Sequence, residues 1–186
     1  CAEQIRNDVD YHKLPVTIVS VGSGVGYGNL GYSHHALQDY ALMRSFPNML
    51  IYSPVDALET SLCIKHIYSR GRPSYLRLHK KGEKTISNNK HCIIPGLPRF
   101  IAGNKNSKKI ILTTGFAGQG IYDNSINSKK HAFYTLPVWG MSTKKIFANW
   151  AKDYEVILTV EDHIEDGGFG SWVLESISKL QSPPKI

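Results

Sequence analysis

Residues 49–78 read MLIYSPVDALETSLCIKHIYSRGRPSYLRL, and this stretch decides the fold class. Met49-Leu-Ile-Tyr-Ser53 is a short apolar run suited to a buried strand. Pro54 and Asp56 then open a helix, the proline because its fixed φ suits a first turn and the aspartate because its carboxylate can take an orphan N–H. The helix is expected to run to about Ser69, where Gly71 and Pro73 stop it. Ser74-Tyr-Leu-Arg-Leu78 is the next strand. Two strands joined through a helix of more than ten residues need a crossover, which implies a parallel sheet covered on both faces.

Upstream, Pro15-Val-Thr-Ile-Val-Ser-Val21 is a β-branched run ended by Gly22, and a glycine-rich loop follows. Ser33 is expected to cap a helix with Leu37, Tyr40 and Ala41 on one face, ended by Phe46-Pro47-Asn48. Downstream, residues 82–108 contain only brief apolar pieces, such as Cys92-Ile-Ile94 and Arg99-Phe-Ile101, and read as a linker, placed at 83–99, with short edge strands. The alternation then resumes. Strands are expected at 109–114, 131–136 and 155–160. Between and after them come a short helix past Gly118, a helix with Ile146, Phe147 and Trp150 on one face, and a helix with Val173, Leu174 and Ile177. The expectation is an α/β protein of two three-layer units with mostly parallel sheets, residues 1–82 forming one and 100–186 the other.

With 186 residues, 41% hydrophobic and 20% charged, the chain is neither disordered nor fibrous in composition. The net charge of +7 would suit nucleic acid, acidic lipid or phosphorylated small molecules. The lysines, however, are scattered in pairs (Lys80-Lys81, Lys108-Lys109, Lys129-Lys130, Lys144-Lys145), without clustered arginines or interleaved aromatics, so no nucleic-acid partner is expected. Three cysteines, Cys1, Cys63 and Cys92, with no C-x-x-C pair, suit reduced thiols and a cytoplasmic location. The longest apolar stretches fall far below the ~20 residues that span a bilayer, and no membrane association is expected. Cys1-Ala-Glu-Gln-Ile-Arg-Asn-Asp-Val9 opens like the middle of a helix, without cap or lead-in. A section of a longer polypeptide is therefore expected.

Several segments invite a chemical reading. Gly26-Tyr-Gly-Asn-Leu-Gly31 fits G-x-G-x-x-G, but the preceding strand ends at Val21 and Ser53 stands where an acidic ribose ligand belongs, which speaks against a dinucleotide site. Gly31-Tyr-Ser-His-His35 is no nucleophile elbow, because histidine at 35 replaces the glycine that permits the strained turn. His34 and His35 are adjacent and diverge on a helix, so they do not share a metal; His35 is expected to pair with Asp39 four residues on. His34, placed in a first turn after a glycine loop, is expected to point above the strand ends, where open α/β sheets hold ligands. Glu161-Asp-His-Ile-Glu-Asp166 reads as solvated loop. Gly167-Gly-Phe-Gly-Ser171 reads as close strand-to-helix packing, with anion binding through backbone N–H groups as the alternative.

Glu3-Gln-Ile-Arg-Asn-Asp-Val9, Gly31-Tyr-Ser-His-His-Ala-Leu-Gln-Asp-Tyr-Ala-Leu-Met-Arg44, Pro47-Asn-Met49, Pro54-Val-Asp56 and Pro73-Ser-Tyr-Leu-Arg-Leu78 together resemble the transketolase family. Leu112-Thr-Thr-Gly115, Thr159-Val-Glu-Asp-His163 and Gly167-Gly-Phe-Gly-Ser171 resemble it more loosely, in the order of that family's C-terminal domain. The resemblance implies that residues 1–82 are the latter part of an incomplete thiamine-diphosphate pyrimidine-binding domain and 100–186 most of a C-terminal domain. It implies thiamine diphosphate and a divalent cation such as magnesium, with protein groups orienting substrate oxygens and shuttling protons. His34 matches the family's substrate-contacting, catalytic histidine. Lys80 falls where relatives carry an arginine that grips a sugar phosphate.

The departures are specific. Leu30 stands where sugar-using relatives have aspartate, and a leucine cannot accept a hydroxyl hydrogen bond, which speaks against the usual donor-sugar recognition. Gly22 replaces a polar position, often histidine. Lysine at 80 keeps the charge but loses bidentate geometry. No Gly-Asp-Gly metal segment, catalytic glutamate or aromatic clamp for the aminopyrimidine is present in these residues. The resemblance thus implies the C-terminal section or subunit of a transketolase-like enzyme that transfers a two-carbon ketol unit between sugar phosphates. It would work with an N-terminal section or subunit in a homodimer or hetero-tetramer, and would be inactive alone. The alternatives are a relative of deoxyxylulose-phosphate synthase or of the 2-oxo-acid decarboxylating enzymes, and a non-catalytic assembly or regulatory module.

Overall fold

The computed structural model describes residues 1–88 and 92–186. It contains two four-stranded sheets of mostly parallel strands with helices on both faces, the α/β architecture the sequence implies. A short helix α1 (Ala2–Gln4) continues into π-helical turns over Ile5–Asp10. Then come β1 (Thr17–Val21), α2 (Asp39–Met43), β2 (Leu50–Tyr52), α3 (Ala57–Arg70) and β3 (Ser74–Leu78). The second half holds β4 (Arg99–Gly103), β5 (Lys109–Thr113), α4 (Ala117–Ser125), β6 (Ala132–Thr135), β7 (Val138–Trp139), α5 (Lys144–Ala151), β8 (Val156–Val160) and α6 (Phe169–Ile177).

The first sheet has the order β1-β3-β2-β7, with β1, β3 and β2 parallel and β7 antiparallel to β2. Alternation along the strands sorts residues onto two faces. Leu50, Tyr52 and Leu76 pack with Leu62 and Cys63 of α3, while Ile51 and Tyr75 pack on the opposite side with Tyr40 and Met43 of α2. Helix α3 is held at both ends by the residues that announce it: the Asp56 carboxylate accepts the Glu59 N–H at 2.9 Å, and Gly71 closes the helix in the left-handed region at φ +57°. The same carboxylate accepts the Ile86 and Ser87 N–H groups, tying the connecting segment to the first half. Beside α3, on the face carrying the half-exposed Val19 of β1, lies an open apolar groove of about 660 Å³.

The second sheet has the order β4-β6-β5-β8, with β4 antiparallel at its edge. Ile110, Leu112 and Tyr134 share a core with Phe147 of α5 and Trp172, Val173 and Ile177 of α6. That core is continuous with Tyr40, Met43 and Ile51 of the first half, so one hydrophobic interior serves both sheets. Strand β7 is the covalent expression of this union. After β6 the chain passes Leu136 and Pro137, leaves its own sheet and pairs Trp139 with Ile51 and Val138 with Tyr52. The Trp139 indole N–H donates to Thr114 Oγ1 at 3.0 Å, fixing the fully buried ring between the halves.

The structure departs from the sequence reading around Ser33. That residue does not cap a helix: Gly28–Leu30 and Tyr32–His34 form two separate 3₁₀ turns, His35 is extended, and α2 begins only at Asp39. An isolated bridge between Ala36 and Ser23, with the Ala36 N–H donating to the Gly24 carbonyl, holds the chain away from helical geometry here. His34 is accordingly not in the first turn of a helix, and a helix dipole does not act on it. Ile146 and Leu174, expected on apolar faces, are about half exposed, whereas Phe147 and Val173 are fully buried.

Candidate functional site

The C-terminal ends of β1 and β3 lie side by side, with Val21 in register with Leu78. The chain leaves β1 into a loop whose start is bound to the end of β3: the N–H groups of Gly22 and Ser23 both donate to the Leu78 carbonyl, at 2.9 and 3.1 Å. Gly22 has φ +93°, and a Cβ there would lie only 2.1 Å from Cε2 at the edge of the Tyr27 ring. Tyr27 therefore folds back onto the glycine backbone, with its centroid 6.4 Å from that of His34 in an edge-on arrangement. Lys80, two residues beyond β3, holds its ammonium 5.0 Å from the centre of the same ring. His34 and Lys80, which carry separate signals in the sequence, thus flank one aromatic side chain above the strand ends.

His34 is exposed, with Nδ1 3.0 Å from the Ser33 hydroxyl. His35 does not pair with Asp39; its Nε2 donates to the Gly28 carbonyl at 2.9 Å and braces the loop from within. Leu30 is half exposed on the same loop and offers no polar atom from its side chain. His79, between Leu78 and Lys80, is clamped from both halves of the molecule. Its Nδ1 lies 3.1 Å from Ser23 Oγ, and its ring stacks on Phe116 at 3.4 Å between centroids and 13° between planes.

Beneath the loop lies an ionic network that the sequence reading missed. Arg77, 1% exposed, donates from Nε to Asp39 at 2.7 Å, from Nη1 to Asp162 at 2.5 Å and to the Tyr40 hydroxyl at 3.0 Å, and from Nη2 to the Ala36 carbonyl at 2.7 Å. Burial by itself would disfavour its charge, but Tyr40, Asp162 and Asp39 outweigh that and raise its pKa above the ordinary arginine value. Burial raises the Tyr40 hydroxyl too, so it stays a neutral acceptor for the guanidinium. A Cβ at Gly24 would lie 2.7 Å from Asp162 Oδ2, so the glycine loop rests directly on this aspartate. Arg77 and Asp162 together support the loop that carries Tyr27 and His34. The signal for Arg77 was present as a single charged residue inside a strand buried on both faces. Tyr27 was visible as one large aromatic among glycines.

The acidic segment after β8 is correspondingly not a solvated loop at its start. Glu161 accepts the Phe169 and Gly170 N–H groups at 2.6 and 2.7 Å, occupying the N-terminus of α6 with the chain's own carboxylate. Burial raises its pKa, against the pull of these two backbone donors. A Cβ at Gly167 would meet Ala41 at 2.7 Å, which accords with the close-packing reading of these glycines. His163 is stacked on Tyr40, accepts the Ala41 N–H at Nε2 and donates from Nδ1 to the Ile164 carbonyl. Glu165 and Asp166 are exposed.

Residues 1–83 match the family described as transketolase, pyrimidine binding domain. Across 99% of its length the chain is 29% identical to a subunit of the apulose-4-phosphate transketolase of Phocaeicola vulgatus, covering 60% of that protein. Across 95% it is 31% identical to a Methanocaldococcus jannaschii protein named as a transketolase C-terminal section, covering 56% of it. Residues 1–83 thus match a transketolase domain, and the chain as a whole is similar to transketolase subunits and C-terminal sections. A solved structure described as a split gene transketolase, inactive β4 tetramer, superposes with a TM-score of 0.74 at 26% identity, covering 99% of this chain and 60% of that one. The chain thus spans about three-fifths of the length of these relatives.

The pyrimidine-binding domain family implies thiamine diphosphate, and the described residues do not fit that group's diphosphate and cation. Among the described residues no cluster of three or more His, Cys, Asp or Glu side chains could hold a metal ion. The N-terminus of α6, the alternative anion site, is filled by Glu161. What the loop over β1 and β3 offers is a different set: an imidazole, an ammonium and an aromatic ring, suited to orienting a polar, anionic substrate.

Proposed function

We propose that this chain is the C-terminal section or subunit of a transketolase-like transferase that moves a two-carbon ketol unit between sugar phosphates. In this reading His34 contacts the substrate and Lys80 grips its phosphate. The observation that carries the reading is the convergence of His34 and Lys80 on Tyr27 at the C-terminal ends of β1 and β3, in a chain similar to transketolase subunits. Open α/β sheets hold their ligands at such strand ends. An exposed imidazole there can donate to, or accept from, a sugar hydroxyl, and an ammonium supplies charge to a phosphate without fixing its orientation. Thiamine diphosphate and magnesium would be anchored by an N-terminal section or partner subunit, in a homodimer or hetero-tetramer. The division into residues 1–82, a connecting segment 83–99 and residues 100–186 belongs to the same proposal, as does a cytoplasmic location. No helix among the described residues is long and apolar enough to cross a membrane, and Cys63 is a buried free thiol.

The test uses the complete assembly with both sections present. His34→Ala is expected to slow turnover roughly ten- to thousand-fold, the range of a lost catalytic hydrogen bond, while the melting temperature holds because the side chain is exposed. Lys80→Ala is expected to weaken phosphorylated substrates more than unphosphorylated analogues. The isolated 186 residues are expected to show neither tight thiamine-diphosphate binding by calorimetry nor ketol transfer. Unchanged kinetics for His34→Ala, or turnover by the isolated chain, would reject the assignment.

A second reading has its own support in Leu30. A relative named 1-deoxy-D-xylulose-5-phosphate synthase, from Syntrophomonas wolfei, is 27% identical across 94% of this chain. Pyruvate offered against ketose phosphates as donor separates the two activities.

A further inference from the structure

We propose that Tyr27 is a positioning residue for Lys80 and, through it, sets the preference for phosphorylated over unphosphorylated sugars. This rests on the reading of Lys80 as the phosphate-gripping cation. Three features support it. First, the ring has a prepared seat. Gly22 stands at φ +93° with both its conformation and its missing side chain required, because a Cβ would overlap the edge of the Tyr27 ring, 2.1 Å from Cε2. The Gly22 N–H is itself pinned to the Leu78 carbonyl at the end of β3. Glycine at 22 and tyrosine at 27 are thus a matched pair, the second filling the volume the first leaves empty.

Second, the ring lies under the Lys80 ammonium, 5.0 Å from its centre, and among the described residues Lys80 has no carboxylate partner. A lysine stem loses several rotamers when it grips an anion, and an ammonium already held over an aromatic face loses fewer. The contact leaves N–H donors free for phosphate oxygens. Third, the root of the lysine is fixed. The preceding His79 is held between Ser23 and Phe116, so only the stem of Lys80 remains to be ordered.

The experiment measures kcat/KM in the complete enzyme for a phosphorylated aldose and its unphosphorylated analogue, and takes the ratio. The variants are Tyr27→Phe, Tyr27→Leu, Lys80→Met and the double variant Tyr27→Leu/Lys80→Met. Tyr27→Leu is expected to lower the ratio about two- to five-fold, the amount a partly exposed cation–aromatic contact supplies. Tyr27→Phe keeps the ring and is expected to keep the ratio. The double variant is expected to match Lys80→Met, because the ring acts through the ammonium. If Tyr27→Leu slows both substrates equally, or its effect on the ratio persists undiminished without Lys80, the tyrosine merely props the loop and the inference is overturned. If Lys80→Met leaves the ratio unchanged, the phosphate role of Lys80 fails and the inference falls with it. If Lys80→Met lowers the ratio while Tyr27→Leu does not, the inference alone falls.

Discussion

Arg77 joins residues that lie far apart in the chain: Asp39 on α2, Tyr40 beside it, and Asp162 beyond β8. Its replacement by methionine fills much of the space but leaves two acidic side chains facing each other in a largely enclosed site. Breaking such a pair costs about 3–5 kcal/mol, far more than the net worth of the pair, because the surviving charges keep their desolvation penalty. Arg77→Met is therefore expected to lower the unfolding free energy measured by urea titration by an amount in that range, whereas Asp162→Asn, which retains an acceptor for Nη1, should lower it less. Nothing local in the sequence announces this network, since Arg77 and Asp162 are 85 residues apart. His34 and Lys80 could be proposed from the sequence because one follows a glycine loop and the other stands where the family resemblance places a phosphate-gripping arginine. Tyr27 stood out only as one large aromatic among glycines; that it brings the two together was not legible, because its place depends on a left-handed glycine earlier in the loop that gives no sign of what will fill it.

The elements show the same division between local and distant causes. The ends of α3 could be read from Asp56 and Gly71, because a cap is a contact between near neighbours. The start of α2 could not. Ser33 has the chemistry of a cap, but the bridge from Ala36 to Ser23 and Gly24 claims the backbone that a longer helix would have used. How α2 docks on the second half is likewise invisible locally. Glu175 of α6 accepts from both terminal nitrogens of Arg44, just after α2, and from the Lys144 ammonium at the start of α5. The hydrogen bond from Arg44, reinforced by Lys144, holds the Glu175 carboxyl down at about 2. Because the folded value lies below the unfolded one, the stabilisation is complete above the ordinary carboxylate range and disappears as pH falls from there toward about 2. Stability measured by denaturant is expected to drop over that window, and Glu175→Gln to flatten part of the drop. With 43% of the side chain exposed, the contribution should also shrink in high salt.

At the scale of the whole molecule, the alternation of strands and helices was enough to indicate two mostly parallel sheets, since a crossover needs only the lengths of its parts. The exchange between the sheets was not foreseeable. Strand β7 is two residues long, has no periodicity to read, and owes its existence to pairing with β2, far upstream in the chain. Its consequence is mechanical. Residues 81–85 carry no regular secondary structure and are largely exposed, with Lys81 and Lys84 open to trypsin. A cut there severs the covalent link between the first half of the chain and the second but touches neither the β2–β7 ladder nor the interior shared by Tyr40, Trp139 and Trp172. The nicked protein is expected to migrate as one particle in native electrophoresis and as two polypeptides only after denaturation. Separation of the halves on nicking alone would mean that the ladder is too weak to hold them. Val138 and Trp139 act as a rivet, so the protein should tolerate a broken backbone at this exposed connection.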